Sequence, residues 1–276
     1  MSEIQKKVYD ALIPANENLE VLTKTFVVDG YKVVAQHNPA RAVSSGAKLD
    51  KATIAKRKCF LCKENRPVDQ PSVIYNENFE ILKNPFPILK KHLTIPLMRH
   101  ERQEILPHFA TMLNLSKNLP DFDLLYNGPK CGASAPDHMH FQAVQTGLMP
   151  LDEKSLSEFD IVDGEIRNFG RKCLVFVGSD KETICKQYRE LYNKLEIKED
   201  EWEPRMNIVA HYIPSANIWN VWVFPREKHR PSYYDQGRMI SPGVIDMAGI
   251  LVFPKPDDFE DVDESMIRQI YKEVSL

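Results

Sequence analysis

From Tyr126 to Gln142 the chain runs Tyr-Asn-Gly-Pro-Lys-Cys-Gly-Ala-Ser-Ala-Pro-Asp-His-Met-His-Phe-Gln. Gly128, Gly132, Ala133, Ser134 and Ala135 are small, and a loop of small residues lets backbone N–H groups come close to a phosphate. His138, His140 and Gln142 then alternate. Alternate residues of an extended segment share a face, so two imidazoles and an amide are expected to point at whatever the loop cradles. Neutral imidazole is a competent nucleophile toward activated phosphorus, and its reference pKa of about 6.5 leaves it largely unprotonated at neutral pH. The loop amides, with the Ser134 hydroxyl, would stabilise charge on the phosphoryl oxygens. Gln142 can donate to the same oxygens but cannot shuttle a proton, which favours transfer to a phosphate acceptor over hydrolysis. Two ordinary histidines on a plain strand would explain neither the small-residue loop before them nor the amide after them.

A second constellation is Cys59-Phe60-Leu61-Cys62. Zinc takes four ligands, and Cys-x-x-Cys supplies two from one tight turn; the other two must be distant His or Cys residues. A redox pair is disfavoured, because no thioredoxin-like βαβ pattern surrounds it. Cys131, Cys173 and Cys185 are expected to be small buried residues. Near the C-terminus, Arg226, Lys228, His229 and Arg230 put several donors in one turn, suited to phosphate or sugar phosphate.

The elements that must position these groups follow from pattern. Phe26-Val27-Val28 and Tyr31-Lys32-Val33-Val34 flank Asp29-Gly30, a hairpin signal. Residues 1–21 predict a short helix and a turn, and Val43 to Arg57 a polar loop leading to the cysteines. Strands are predicted at 79–82, 92–97, 122–126 and 141–144, with a helix over 104–119 from its apolar spacing. The second half repeats the grammar: a strand at 173–177, a helix over 181–195, a hairpin of 207–212 with 219–224, and a strand at 249–253. The predicted fold class is α+β, two similar halves (1–150 and 151–276) with antiparallel sheets flanked by helices.

Composition sets the outer bounds. The chain has 276 residues, 43% hydrophobic and 27% charged, enough for a sizeable core. A net charge of −3 argues against a protein that coats a nucleic-acid polymer, which needs clustered Lys and Arg. No apolar run approaches the ~20 residues of a membrane span, and the N-terminus lacks a signal-peptide core. A cytoplasmic protein without a membrane partner is expected.

Asn127-Gly128, Gly132-Ala133-Ser134 and His138-x-His140-x-Gln142 resemble the histidine-triad-like superfamily in its transferase branch, the branch of galactose-1-phosphate uridylyltransferase, diadenosine tetraphosphate phosphorylase and GDP-L-galactose phosphorylase. The resemblance runs from about Asn38 to Phe253. It implies that His140 is the nucleophile and that Gln142 contacts the bound phosphate. It also implies a structural zinc held by Cys59, Cys62, His100 and His138, with His92 as the alternative to His100. The segment from Asn38 to Lys48 resembles the family's nucleotide-side loop, which makes Arg41 and Lys48 candidates for substrate contact. Lys90 and Lys91 fall in the same class, and Arg226 and Lys228 belong to a stretch resembling the end of the phosphorylases. Met139 and Asp137 depart from the uridylyltransferase pattern.

The resemblance thus implies a nucleotidyltransferase or phosphorylase acting on a nucleoside diphosphate-sugar or dinucleotide through nucleotidyl-His140. The alternative is a non-catalytic, zinc-stabilised nucleotide-binding protein on the same scaffold. Relatives often dimerise, so a homodimer is one expected assembly, with Trp219 and Trp222 candidates for either a partner surface or the core.

Overall fold

Asp29 and Gly30 both take positive φ, 53° and 82°, the backbone that a two-residue hairpin turn demands. They join β1 (Leu22–Val28) to β2 (Tyr31–His37) as the sequence predicts. The computed structural model describes residues 1–14, 17–46 and 50–276. Ten strands form one antiparallel sheet: β3 (Ser72–Tyr75), β4 (Phe79–Lys83), β5 (Leu93–Pro96), β6 (Phe122–Asn127), β7 (His140–Gln145), β8 (Ile161–Val162), β9 (Glu165–Ile166), β10 (Leu174–Gly178), β11 (Met206–Ile213) and β12 (Ile218–Pro225). The remaining strand, β13 (Ile250–Phe253), lies parallel to β2 and completes a separate three-stranded sheet, β1-β2-β13.

The order in the large sheet is β3-β4-β5-β7-β6-β11-β12-β10-β9-β8. Read inward from either edge, the two series match strand for strand and meet at the antiparallel β6–β11 seam. The repeat predicted from pattern is therefore present, and both halves share one sheet. The helices also correspond. Counting from the N-terminus the first five are α1 (Glu3–Leu12), α2 (Ala42–Ser45), α3 (Lys51–Lys56), α4 (Phe109–Asn118) and α5 (Lys181–Lys194). Helix α4 precedes β6 and α5 precedes β11, and they touch where Phe109 stacks on Tyr188 with centroids 3.8 Å apart. The halves differ in one connection. Residues 128–139 separate β6 from β7, whereas β11 and β12 are joined by residues 214–217.

Period-two alternation sorts the side chains. Leu124, Tyr126, Phe141, Ala143, Ile208 and Ala210 join the core under α4 and α5. Leu125, Val144, Val209 and Trp222 face the opposite way, toward the β1-β2-β13 sheet. His140 and Gln142 share the parity of Val144, so they belong to this second face.

Several expectations need correction. The stretch from Val43 to Arg57 holds two short helices, α2 and α3, rather than an uninterrupted loop; Asp50 caps α3 by accepting the Thr53 N–H. Helix α4 begins at Phe109 instead of Glu104, because the Glu203 carboxylate takes the Ile105 N–H at 2.8 Å and holds the preceding turn. Of the two placements left open for Trp219 and Trp222, the core is the one found: they are 3% and 4% exposed. Among the described residues no helix is long and apolar enough to cross a membrane.

Glu203 also accepts the Tyr126 hydroxyl at 2.6 Å. Burial dominates and pushes its carboxyl up to about 8. A folded-state pKa raised above the unfolded value of about 4.3 stabilises the fold most below pH 4. That contribution is lost as pH rises through 8. Denaturant melts across pH 5–8 should therefore show stability declining by on the order of 1–3 kcal/mol. Glu203→Gln should flatten the profile; an unchanged slope in the variant would remove Glu203 as its source.

Candidate active site

Gly132 has φ +99°, and a Cβ there would lie 2.6 Å from Gly243 Cα. The loop 128–139 can therefore lie against the C-terminal segment only with glycine at this position. Among the described residues, the N–H groups of Gly132, Ala133 and Ser134 have no hydrogen-bond partner. Gly132 and Ser134 line a cleft of about 650 Å³, together with His140 and Gln142. Unpaired amides on a small-residue loop are suited to an anionic oxygen.

The His140 ring is fixed by its own neighbour: Nδ1 lies 2.8 Å from the His138 carbonyl oxygen. A carbonyl can only accept, so Nδ1 carries the proton and Nε2 keeps its lone pair. Burial pushes His140 down to about 4, against the opposing pull of that carbonyl. The backbone on either side is held by Gln103, a fully buried side chain. The β6–β7 ladder ends at the Leu125–Gln142 pair. Beyond it the Gln103 amide spans the gap, accepting the His140 N–H at 2.7 Å and donating to the carbonyls of Asn127 and His140 at 2.9 and 3.0 Å. Gln103→Ala leaves those buried backbone groups unpaired. A destabilisation of about 2–4 kcal/mol is expected in denaturant melts; a loss under 0.5 kcal/mol would show that the gap closes without it.

His138 does not point with His140 and Gln142 as strand alternation predicted. Strand pairing starts only at His140, opposite Pro96, and His138 sits in a turn closed by its N–H on the Ala135 carbonyl. Its ring turns instead toward the cysteines: Nδ1 is 3.2 Å from Cys59 Sγ and 3.5 Å from Cys62 Sγ. His100 Nδ1 is 3.2 Å from Cys62 Sγ. One donor atom from each of Cys59, Cys62, His100 and His138 lies within 4.8 Å of all the others, a grouping that could hold a metal ion. Edges of this length fit a tetrahedral ion bound at about 2.0–2.3 Å. His138 Nε2 meets the Leu97 carbonyl at 2.7 Å, which places its proton on Nε2 and leaves Nδ1 free to ligate. Burial and Cys59 push the Cys62 thiol up to about 12; a cation among the four donors offsets that cost. The four-residue set implied by the resemblance is thus brought together. Its alternative member, His92, lies elsewhere, 2.7 Å from Gln142.

Other candidates divide. Arg41 lines the cleft, where burial lowers its guanidinium to about 10, still charged at neutral pH. Lys48 lies outside the described residues. The Asn127 oxygen is taken by the Val244 N–H at 2.7 Å and by Asn207 at 2.9 Å. A Cβ on Gly128 would lie 2.8 Å from the Met206 carbonyl, so this glycine serves the β6–β11 seam. Arg226 is 2% exposed and donates to the carbonyls of Val274, Pro242 and His229, a structural clamp rather than a free phosphate donor. Lys228 pairs with Glu273. The Lys91 ammonium sits 5.0 Å above the Tyr9 ring, away from the cleft.

Sequence reasoning missed Arg57, Arg66, Lys83, Phe60 and Phe86, which all line the cleft. The signal available was the run of basic residues around the cysteines, Lys56, Arg57, Lys58, Lys63 and Arg66. Arg57 pairs with Asp137 and Arg66 with Glu80. Asp137 also lies 4.0 Å from His100 Nε2, linking the Cys2His2 cluster to the cleft wall.

The same architecture is found in yeast Ap4A phosphorylase. Its crystal structure in complex with AMP matches 100% of this chain and 98% of its own, with a TM-score of 0.65 and 14% identity. A second crystal structure of that enzyme and one in complex with Ap4A give 0.62 and 0.59 at 12% identity, over the same shares of both chains. The chain therefore has the histidine-triad-like α+β fold that the resemblance implied. No curated protein matches it by sequence. The chain belongs to the family described as "Domain of unknown function (DUF4922)", which matches residues 1–145.

Proposed function

We propose that this protein is a nucleotidyltransferase that works through a covalent nucleotidyl-His140 intermediate. One observation carries the reading: a buried imidazole with its Nδ1 proton pinned on a backbone carbonyl stands in a cleft beside unpaired loop amides. His140 Nε2 attacks the α-phosphorus of a nucleoside diphosphate-sugar or dinucleotide. A P–N bond forms, the P–O bond to the distal phosphate breaks, and the electron pair leaves on that oxygen. An oxygen of inorganic phosphate or a sugar 1-phosphate then attacks the same phosphorus, and the P–N pair returns to Nε2. The amides of Gly132 to Ser134, the Ser134 hydroxyl and Gln142 hold the phosphoryl oxygens. Two inversions give retention at phosphorus and ping-pong kinetics.

Arg41, Arg57, Arg66 and Lys83 line the cleft, and no carboxylate does among the described residues, which suits a chain of phosphates. The likeness to a phosphorylase that binds AMP and Ap4A favours phosphate as acceptor. Zinc is the ion that a tetrahedral Cys2His2 set fits best. Bound there, it supplies the charge that keeps both thiols ionised and the His138 ring fixed.

The test is incubation with Ap4A and nucleoside diphosphate-sugars labelled at the α-phosphorus, followed by a search for acid-labile, base-stable label on the protein. Label on the wild type and its absence from His140→Gly are expected; label persisting in the variant moves the nucleophile elsewhere. Dependence of turnover on phosphate, against a panel of sugar 1-phosphates, identifies the acceptor. Tight AMP binding with no exchange of label would make the chain a nucleotide-binding protein on an enzyme scaffold.

A further inference from the structure

We infer that His92 is a positioning residue that fixes the side-chain amide of Gln142, so that only its NH2 edge is presented to the cleft. Naming a phosphoryl oxygen as what that edge meets rests on the nucleotidyl-transfer reading; the order of hydrogen bonds behind it does not.

The chain of bonds starts from a group whose role is not in doubt. The Ile88 backbone N–H lies 3.1 Å from His92 Nδ1 and can only donate, so Nδ1 must be the unprotonated nitrogen. The ring proton is then on Nε2. That nitrogen is 2.7 Å from the side-chain oxygen of Gln142, and a donating Nε2–H requires an oxygen there. The amide flip that is ambiguous for most glutamines is thereby decided. Asn84 does not compete: its NH2 is 3.4 Å from His92 Nε2 and donates instead to Thr94 Oγ1 at 2.9 Å. With its oxygen held against His92, Gln142 is left with its two N–H donors as the edge turned away from that ring.

The scaffold behind this relay is rigid. The loop carrying Ile88 is clamped to β2, where Gln36 donates to the Ile88 carbonyl at 3.0 Å and Asn38 to the Pro87 carbonyl at 3.0 Å. The Asn84 N–H closes the loop on the His92 carbonyl at 2.9 Å. His92 is 1% exposed; burial, aided by the Arg41 charge, pushes it down to about 3, which keeps the ring neutral at neutral pH. A neutral ring with one proton has one donor edge, and here that edge meets Gln142. The geometry accounts for a histidine that the sequence offered only as a spare metal ligand.

Two measurements test the assignment, and neither needs turnover. Two-bond 1H–15N correlation spectra of the intact chain should show His92 protonated at Nε2 and bare at Nδ1; the opposite tautomer overturns the proposal. Calorimetric titration with AMP should show His92→Phe weakening affinity about tenfold, near the value of one directed hydrogen bond. His92→Gln, which can place an amide donor near the Nε2 position, should recover most of it. In a Gln142→Ala background His92→Phe should have no further effect on affinity, whereas a merely structural role would give additive losses. Additive losses therefore sink the proposal. If His92→Phe does not fold, the tautomer in the wild type decides. AMP binding without a nucleotidyl-histidine would defeat the transfer reading and leave this one standing; a wild type that does not bind AMP fails that reading first, and the tautomer again decides.

Discussion

Turnover should fall at least about a thousandfold in His140→Gly, with covalent labelling lost altogether, while AMP still binds. Two features of the site make the effect this large. Among the described residues, His140 is the only histidine lining the cleft, so no second imidazole stands ready to replace it. Its ring is also oriented in advance: with Nδ1 bound to the His138 carbonyl, no rotamer search or tautomer change precedes attack, an advantage that a mobile substitute lacks. The proposed binding groups are separate from the proposed nucleophile. The loop amides at 132–134 and the cations Arg41, Arg57 and Arg66 belong to other segments, so affinity for AMP should change by less than about tenfold. Single-turnover rates, calorimetric affinity and circular dichroism measured together check this. A variant folded like the wild type and within tenfold of its rate would end the case for His140.

Removing the proposed metal ligands should produce the next largest effect, on two properties together. In Cys59→Ser, or after chelation, we expect a loss of stability on the order of several kcal/mol and a drop in transfer of roughly 10- to 100-fold. The stability loss follows from what the cluster ties together: the Cys59–Cys62 turn, the chain after β5 at His100 and the turn before β7 at His138. The activity loss follows from one shared residue. The His138 ring belongs to the Cys59/Cys62/His100 cluster and its carbonyl holds His140 Nδ1, so freeing the ring would loosen the anchor of the proposed nucleophile. His100→Ala should be milder, because that side chain is half exposed and anchors no catalytic atom. Elemental analysis of the purified chain, thermal melts and labelling rates read the outcome. A fully active chain with no bound zinc would overturn the structural role assigned to the ion.

The two effects also differ in pattern. His140→Gly should spare thermal stability relative to Cys59→Ser, since only the latter unlinks three segments. A melting temperature that falls equally in both would mean that the His140 ring is as much a core residue as a nucleophile.

What the sequence determined by itself was local. Asp29-Gly30 dictates a hairpin because few dipeptides accept two positive φ values. The small residues of the 128–135 stretch announce a loop that can approach a phosphate, and Cys59-x-x-Cys62 announces half of a metal site. The match between the two halves was legible as an order of strands and helices. In each case the information lies within a few residues, where chain geometry leaves little choice.

The tertiary structure decided everything that depends on which segments meet. Gln103 reaches Asn127 across 24 residues of chain to hold the site, and His92 acquires its place only because the Ile88 amide and Gln142 lie on either side of it. Arg57 and Arg66 line the cleft while paired with Asp137 and Glu80, whereas Arg226, equally basic in the sequence, is folded around backbone carbonyls away from it. The turn before β7 sent His138 to the cysteines and left His140 to the cleft. A side chain's charge and donors are written in its type. Whether they reach a ligand or are used up inside the fold is fixed by long-range hydrogen bonds that no spacing along the chain encodes.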